Sequence, residues 1–344
     1  MNKIEYSKYI SDIIYDTQNY EVEALFYLTR HCNLKCPGCY MQSSPEIQKS
    51  ILSLDDLGFY LNEFNNIENF TQSVVFSGGE VFTAPIKYIK QCSDNVLNRG
   101  WTLQIKTNGA WIQDKQKSDD ILKMLRQLKP SHGYVANEQE IQHIIKKYPR
   151  WLLHICGNAL IKKHLNKSSA LSMAISVDDK LHPAQSADWF IKIANAITAD
   201  KKLRNDVDLK TFTLYESVPL LESRVLNNPE LHIKNFELFE NKQAARYTIK
   251  NTPVESYVGE FIDATSIPTT TKLSEIAVSP IGDAKGRLVY CFYPDGTVGF
   301  DCNYLEPVGR VPYTDETGKY KSLTQIKHDI HKKLVADYAK AIQK

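Results

Sequence analysis

The chain has 344 residues, of which 42% are hydrophobic and 24% charged, a composition typical of a globular protein. Its 42 Lys and Arg nearly balance its 40 Asp and Glu, and the net charge of +2 predicts no nucleic-acid partner. No stretch approaches the roughly 20 apolar residues that span a bilayer, and the first 20 residues lack the apolar region of a signal peptide. We therefore expect a cytoplasmic protein with no membrane partner.

From about residue 23 to 215, strand-like apolar runs alternate with helix-like segments, a pattern typical of βα units and a parallel sheet. Ser53 is expected to cap the first helix, which carries acidic residues in its first turn as the helix dipole favours. The predicted strands cover 23–29, 73–80, 101–109 and 171–179, and the predicted helices cover 53–64, 84–98 and 118–128. A further helix and strand, "SADWFIKIANAITAD" and "DVDLKTFTLYES", continue the alternation.

The character of the sequence changes beyond about residue 250. The run 288–302 predicts a hairpin with Pro294, Asp295 and Gly296 at its turn. The segment from Ser322 onward has helical periodicity. We divide the chain into an N-terminal helical extension (1–22), a core (23–230) with an insertion (131–168), and a C-terminal cap (231–344).

The loop after the first strand, "RHCNLKCPGCYMQ", holds three of the seven cysteines of the chain. Three thiolates separated by three and two residues can converge on one small inorganic group. Structural zinc is normally closed by four ligands, but no second CxxC pair exists here and His31 directly abuts Cys32. A 4Fe–4S cluster with three cysteine ligands leaves its fourth iron open. The spacing therefore favours an iron–sulfur cluster over zinc or buried structural thiols.

Four motifs follow successive strands: "CNLKCPGC" (32–39), "FSGGE" (76–80), "TNG" (107–109) and "SVDD" (176–179). In this order they resemble the radical S-adenosylmethionine (SAM) superfamily, over about residues 23 to 215. The resemblance implies a partial (β/α)6 TIM-like barrel with a small α+β C-terminal cap. In related barrels the active site lies at the carboxyl ends of the strands, where these motifs fall.

By this resemblance the chain binds a 4Fe–4S cluster and SAM. Three irons would be bound by Cys32, Cys36 and Cys39, and the fourth by the amino and carboxylate groups of SAM. The glycines let the backbone approach closely, and a carboxylate accepts hydrogen bonds from an ammonium group. The residues implied to contact SAM are Gly78, Gly79 and Glu80 at its amino group, Ser176 and Asp178 at the ribose, and Asn108 at the mouth.

Two positions depart from the family pattern. The residue before the third cysteine is usually aromatic and packs near the adenine, but here it is Gly38. Tyr40, on the other side of Cys39, is the candidate substitute. Val81 stands where a proline usually follows the glutamate, a change expected to affect only turn rigidity.

The resemblance also implies a reaction. A flavodoxin- or ferredoxin-type donor supplies an electron, SAM is cleaved to methionine and a 5′-deoxyadenosyl radical, and the radical takes hydrogen from a peptide or small polar metabolite. No catalytic side chain is identified by the motifs. Two alternatives stand beside this one: an activase that installs a glycyl radical on a partner enzyme, and a zinc-stabilised or degenerate binding protein that keeps the barrel.

The predicted hairpin carries Cys291 and Cys302 on opposite arms. With the segments after it, it is similar to the SPASM and Twitch domains of peptide- and sugar-modifying radical SAM enzymes, which tilts the expected function towards ribosomal-peptide modification. Auxiliary clusters in those domains need further cysteines, and none follows Cys302. The two thiols are buried structural groups, remnants of a lost cluster site, or hydrogen-atom donors to a substrate radical.

Overall fold

The computed structural model describes residues 21–37, 39, 41–135, 166–179, 182–183, 185–214, 221–238, 244–250, 252–259, 287–301 and 308–342. The predicted N-terminal helical extension, except for its last two residues, lies outside these ranges, as do Cys302 and most of the predicted insertion. Within the described ranges, no helix is both long enough and apolar enough to cross a membrane.

One sheet of 11 strands organises the molecule. Its strands are β1 (Glu21–Thr29), β2 (Phe70–Gly78), β3 (Thr102–Thr107), β6 (Leu171–Ser176), β7 (Asp208–Leu214), β8 (Ile233–Leu238), β9 (Ala244–Ile249), β10 (Thr252–Gly259), β11 (Arg287–Phe292), β12 (Thr297–Asp301) and β13 (Val308–Pro312). They are ordered β13-β12-β11-β1-β2-β3-β6-β7-β10-β9-β8. The strands from β11 to β10 in this order run parallel, and the two at each edge are antiparallel.

The predicted α/β class with a parallel sheet is confirmed, and the sheet is open, with β13 and β8 at its two edges. Strands β1, β2, β3, β6, β7 and β10 pair in chain order, as expected of βα units. The predicted hairpin forms from β11 and β12, and β11 also pairs in parallel with β1. Part of the region expected as a cap thus extends the main sheet. The division at residue 230 and the Twitch-like character stay predictions.

Helices follow the parallel strands near their predicted positions. Ser53 caps the first as predicted, because its side-chain oxygen accepts the Asp56 N–H at 3.0 Å. The helices are α1 (Leu54–Phe64), α2 (Ile86–Leu97), α3 (Lys115–Gln127), α4 (Ser186–Ala199), α5 (Lys201–Asp206) and α6 (Leu323–Ile342). The ends of the predicted insertion pair as a separate antiparallel ladder, β4 (His132–Val135) with β5 (Asn166–Ser169).

Strand β1 is buried on both faces, which explains its continuous apolar sequence. Because side chains alternate along a strand, Phe26 faces the large core beneath the helices while Tyr27 faces the other way. The smaller cluster on that second face contains Leu25, Tyr27, Met41, Val75, Val289, Cys291 and Tyr293, with Cys39 against it. Cys291 is therefore a fully buried thiol on the face that Cys39 contacts.

A second set of contacts fastens the C-terminal region to α1. The Asp56 carboxylate accepts hydrogen bonds from the hydroxyls of Tyr313 at 2.7 Å and Tyr320 at 2.5 Å. Tyr60 of α1 donates its hydroxyl to the Tyr313 carbonyl at 2.7 Å. We call Asp56, Tyr60, Tyr313 and Tyr320 the tyrosine clasp. Burial raises the pKa of Tyr60 and of Tyr313, so both phenols keep the protons that they donate.

Candidate functional site

The carboxyl ends of β1, β2, β3 and β6 lie side by side because these strands are parallel neighbours. The loops that follow them carry the four sequence motifs. We call their site residues the motif rim: Cys32, Cys36, Cys39, Gly78, Gly79, Glu80, Asn108, Ser176 and Asp178. Tyr40, the expected adenine contact, and Gly38 lie outside the described residues.

The two glycines of the motif rim let the end of β2 touch the chain leaving β1. Gly79 N–H donates to the Thr29 carbonyl at 2.8 Å, and Glu80 N–H donates to the His31 carbonyl at 3.0 Å. A Cβ atom on Gly78 would overlap the Thr29 carbonyl oxygen, and one on Gly79 would overlap that of His31. Only glycine fits this approach, which fixes the backbone that enters the cysteine loop.

Glu80 is 1% exposed and joins the ends of β2 and β3. Its Oε2 accepts the Asn108 N–H at 2.8 Å. Its Oε1 accepts the Thr107 hydroxyl at 2.8 Å and the Phe82 N–H at 3.1 Å. Burial raises the pKa of Glu80, and these three hydrogen bonds oppose the rise. The Glu80 carboxylate, which the resemblance predicts to contact the SAM amino group, thus already accepts hydrogen bonds from three groups of the protein.

Cys32 is 6% exposed, whereas Cys36 and Cys39 are half-buried. The Leu34 N–H donates to the Cys32 sulfur at 3.4 Å, and the Asn108 side-chain amide lies 3.8 Å from it. Burial raises the pKa of Cys32 to about 12, with smaller contributions from Glu80, Cys36 and Cys39. Cys36 and Cys39 are therefore close enough to Cys32 to act on it electrostatically.

The fit of this loop to a metal group depends on its donor chemistry. In the part of the chain that the structure describes, no three His, Cys, Asp or Glu side chains already converge on a point that would hold one metal ion. Sulfur donors suit iron–sulfur clusters and zinc. Three thiols on a single loop, without a fourth converging side chain in that part, fit a cluster with one open iron better than a closed four-ligand zinc site.

The turn after β6 contains His182, a residue of the site that the sequence analysis did not predict. Ser176 is half-buried at the strand end, and Asp178 is 1% exposed. Both carboxylate oxygens of Asp178 face His182: Oδ1 accepts its N–H at 3.0 Å, and Oδ2 lies 2.7 Å from its Nδ1. Burial lowers the pKa of His182, but the hydrogen bond to Asp178 and the nearby Cys36 side chain outweigh this and raise the pKa to about 10. The only sequence signal was a histidine four residues after Asp178.

A pocket of about 450 Å³ opens beside the cysteine loop, within the size range of small-molecule sites. It is lined by Asn33, Leu34, Ala110, Gln113, Asp114, Pro183, Gln185 and Trp189. These residues come from the cysteine loop, the turn after β3, the turn before α4 and the first turn of α4. A second pocket, of about 300 Å³, lies near Phe70 and Trp101 at the opposite ends of the strands, away from the motifs.

No family model matches the chain. A segment of 106 residues is 30% identical to the antilisterial bacteriocin subtilosin biosynthesis protein AlbA of Bacillus subtilis (strain 168), which is 31% of this chain and 22% of that protein. The chain thus matches about a fifth of that relative's length.

Solved structures of three further proteins are similar. Methylornithine synthase (PylB) has a TM-score of 0.40 and 12% identity over 95% of this chain and 87% of that one. anSMEcpe with bound AdoMet has a TM-score of 0.28 and 16% identity over 56% and 43% of the two chains. HydG, a maturase of the [FeFe]-hydrogenase, has a TM-score of 0.26 and 12% identity over 61% and 46%.

The motif order, the parallel sheet and the match to AlbA point to the same class of protein. The name of AlbA assigns it to the biosynthesis of the bacteriocin subtilosin, and the match agrees with the resemblance predicted from the motifs. The chain is therefore similar to radical SAM enzymes.

Proposed function

We propose that Cys32, Cys36 and Cys39 hold a 4Fe–4S cluster with which the enzyme cleaves SAM reductively and modifies a peptide. One observation carries the proposal: three thiols lie on one loop at the rim where the other motifs converge. When bound, the cluster supplies the electron that splits SAM into methionine and a 5′-deoxyadenosyl radical, which takes a hydrogen atom from the substrate. A flavodoxin- or ferredoxin-type protein is the proposed electron donor.

The residues of the chain prepare this site. The glycine turn fixes the backbone on which the cysteine loop begins, since Gly79 and Glu80 both donate to it. Glu80 supports the loop after β3, and through it the Asn108 amide beside Cys32. The pocket next to Asn33 has room for a nucleoside-sized ligand. The SAM contacts proposed at Gly78, Gly79, Ser176 and Asp178 line the same end of the sheet.

Anaerobic reconstitution with iron and sulfide tests the proposal. We expect about four irons per chain and broad absorption near ~400 nm, as for a single 4Fe–4S cluster. Dithionite and SAM are then expected to give 5′-deoxyadenosine. Alanine at Cys32, Cys36 or Cys39 should abolish that product and most of the iron.

Cys92→Ala is the matched control, because Cys92 is a fully buried thiol in the large core beneath the helices. It should keep full iron content. A colourless protein that takes up one zinc and yields no 5′-deoxyadenosine would contradict the proposal. Equal iron loss in Cys92→Ala would show that folding, rather than ligation, is being measured.

The peptide class of the substrate rests on the match to AlbA, whose name assigns it to bacteriocin biosynthesis. It is tested by measuring 5′-deoxyadenosine formation with a library of synthetic peptides and, separately, with a set of amino acids and sugars. Stimulation by peptides is the expected result. If only the amino acids or sugars stimulate 5′-deoxyadenosine formation, the substrate is a small metabolite and not a peptide.

A further inference from the structure

The turn after β3 holds the side chain of Asn108 against the cysteine loop. Asn108 is 5% exposed and Cys32 is 6% exposed, so their contact is shielded from water. The Asn108 amide nitrogen Nδ2 lies 3.8 Å from the Cys32 sulfur, and it donates to the side-chain oxygen of Asn33 at 2.9 Å. One side chain from the end of β3 thus contacts two successive residues of the cysteine loop.

A backbone donor fixes the orientation of this amide. The Asn108 side-chain oxygen Oδ1 accepts the Ala110 N–H at 2.9 Å. A backbone N–H can only donate, so the oxygen must occupy this position and the NH₂ group is left facing Cys32. Because an amide does not titrate, this donor is present at every pH at which the protein folds.

The backbone of Asn108 is anchored independently of its side chain. Its N–H donates to Glu80 Oε2 at 2.8 Å. Gly109, which follows it, has a φ of 78°, and a Cβ atom there would lie 3.1 Å from Ile193 and 3.2 Å from Ile175. A substitution of the Asn108 side chain therefore removes Nδ2 but leaves the link to Glu80 in place.

We propose that Asn108 is a positioning residue whose Nδ2 donates a hydrogen bond to the Cys32 sulfur and so raises the reduction potential of the cluster that Cys32 helps to hold. This inference rests on the proposed function. Hydrogen bonds to the sulfur ligands are among the factors that set the potential of an iron–sulfur cluster. Reduction adds negative charge, which a hydrogen-bond donor stabilises. One electron enters from the flavodoxin- or ferredoxin-type donor, and no covalent bond forms or breaks.

The proposal gives Asn108 a task other than the SAM contact expected from its motif. Both polar atoms of its side chain already contact groups of the protein. The Cys32 sulfur also accepts the Leu34 N–H at 3.4 Å, but that donor belongs to the cysteine loop itself. Asn108 is the donor through which the end of β3 acts on Cys32, so losing it should change the potential even when no SAM is present.

The test is a redox titration of the reconstituted protein without SAM, followed by electron paramagnetic resonance of the reduced cluster. Asn108→Ala and Asn108→Leu remove the donor. We expect both to lower the ratio of reduced to oxidised cluster about tenfold at a fixed solution potential, a shift of about 59 mV for one electron. Asn108→Asp keeps the shape and the acceptor for the Ala110 N–H but places a charged oxygen at the position of Nδ2, so it should lower the ratio more than tenfold.

Asn228→Ala is the matched control, because the Asn228 side-chain oxygen accepts the Glu230 N–H at 2.9 Å in the same kind of local turn, on a segment that carries none of the motifs. It should keep the potential of the unsubstituted protein. Circular dichroism checks that each variant folds. If Asn108→Ala does not fold, Asn108→Asp decides, since it keeps the hydrogen bond from Ala110.

Equal potentials in all proteins, with intact clusters, would overturn this inference and leave the proposed function standing. A potential in Asn108→Asp as high as that of the unsubstituted protein would show that the shape and the Oδ1 acceptor suffice, and would also overturn it. An equal shift in Asn228→Ala would show that lost stability, and not the donor, is being measured. Failure of the unsubstituted protein to assemble a cluster would remove both proposals.

Discussion

A carboxylate joins distant elements in both the motif rim and the tyrosine clasp, but the donors differ. Glu80 accepts two backbone N–H groups and one hydroxyl, and it is fully buried. Asp56 is half-buried and accepts two tyrosine hydroxyls. A hydroxyl can donate or accept, whereas a backbone N–H can only donate. Two of the three donors to Glu80 therefore cannot reverse their role, whereas both donors to Asp56 can.

The largest loss of stability is expected at a glycine of the motif rim, which can be compared with a glycine near the tyrosine clasp. Gly79→Ala would push a Cβ atom into the His31 carbonyl, so the backbone before Cys32 must shift. Gly318, in the turn before Tyr320, has positive φ (82°) and open space around it. We expect Gly79→Ala to cost about 3 kcal/mol, the upper range for overpacking, and Gly318→Ala to cost about 1 kcal/mol from left-handed strain alone.

Urea unfolding of the reduced protein under anaerobic conditions measures both free energies. Equal losses of unfolding free energy in Gly79→Ala and Gly318→Ala would contradict this expectation. Gly79→Ala should also lower iron uptake on reconstitution, because the cysteine loop begins at the displaced backbone. Gly318→Ala should leave iron uptake unchanged.

Glu80→Gln and Asp56→Asn compare the two carboxylates directly. In either orientation of the amide that replaces the Glu80 carboxylate, its NH₂ would face a backbone N–H, either that of Phe82 or that of Asn108. A buried donor without an acceptor costs about 1–3 kcal/mol. At Asp56 the tyrosine hydroxyls can turn to accept from the new amide, so we expect a cost below about 1 kcal/mol.

Urea unfolding also measures this pair, and hydrogen exchange of the Asn108 amide shows whether the rim has opened. Faster exchange in Glu80→Gln but not in Asp56→Asn is the expected pattern. A larger destabilisation from Asp56→Asn would reverse the comparison and make the clasp the stricter of the two regions.

The smallest effect is expected at a third carboxylate, in the hairpin. Asp295 accepts from Arg310 at 2.6 Å, and both side chains are more than one-third exposed. Burial raises the pKa of Asp295, but hydrogen bonds from Thr297 and Arg310 outweigh this, so the pKa lies below its usual 3.8. Asp295→Asn should cost less than about 1 kcal/mol, as for other exposed ion pairs.

The sign of its pH dependence follows from the lowered pKa. The stability that Asp295 contributes is present above pH 3.8 and is lost as the pH falls through the pKa of the folded state. The difference in unfolding free energy between the unsubstituted protein and Asp295→Asn should be equal at pH 7 and pH 5 and shrink below pH 3.8. A difference that grows on acidification would contradict this assignment.

The sequence predicted the parallel strands and helices between residues 23 and 215, the cap at Ser53 and the hairpin at 288–302. It did not predict strands β8, β9 and β10, although β10 pairs with β7 along six residues. Within β10, Pro253 and the charged Glu255 weaken the strand pattern. Pairing with β7 stabilises β10 although its own sequence has a weak strand pattern.

The candidate site, like the fold, could be predicted only in part from the sequence. Three cysteines within eight positions could be recognised without a structure, because residues on one short loop are held together by the chain itself. The partners of Glu80 lie up to 28 residues away, and the Asn108 side-chain amide meets the Cys32 sulfur between two loops that follow different strands. Sequence alone predicted which loops carry the chemistry. Only the parallel order of the sheet, which brings separate strand ends together, decided which side chains of those loops meet.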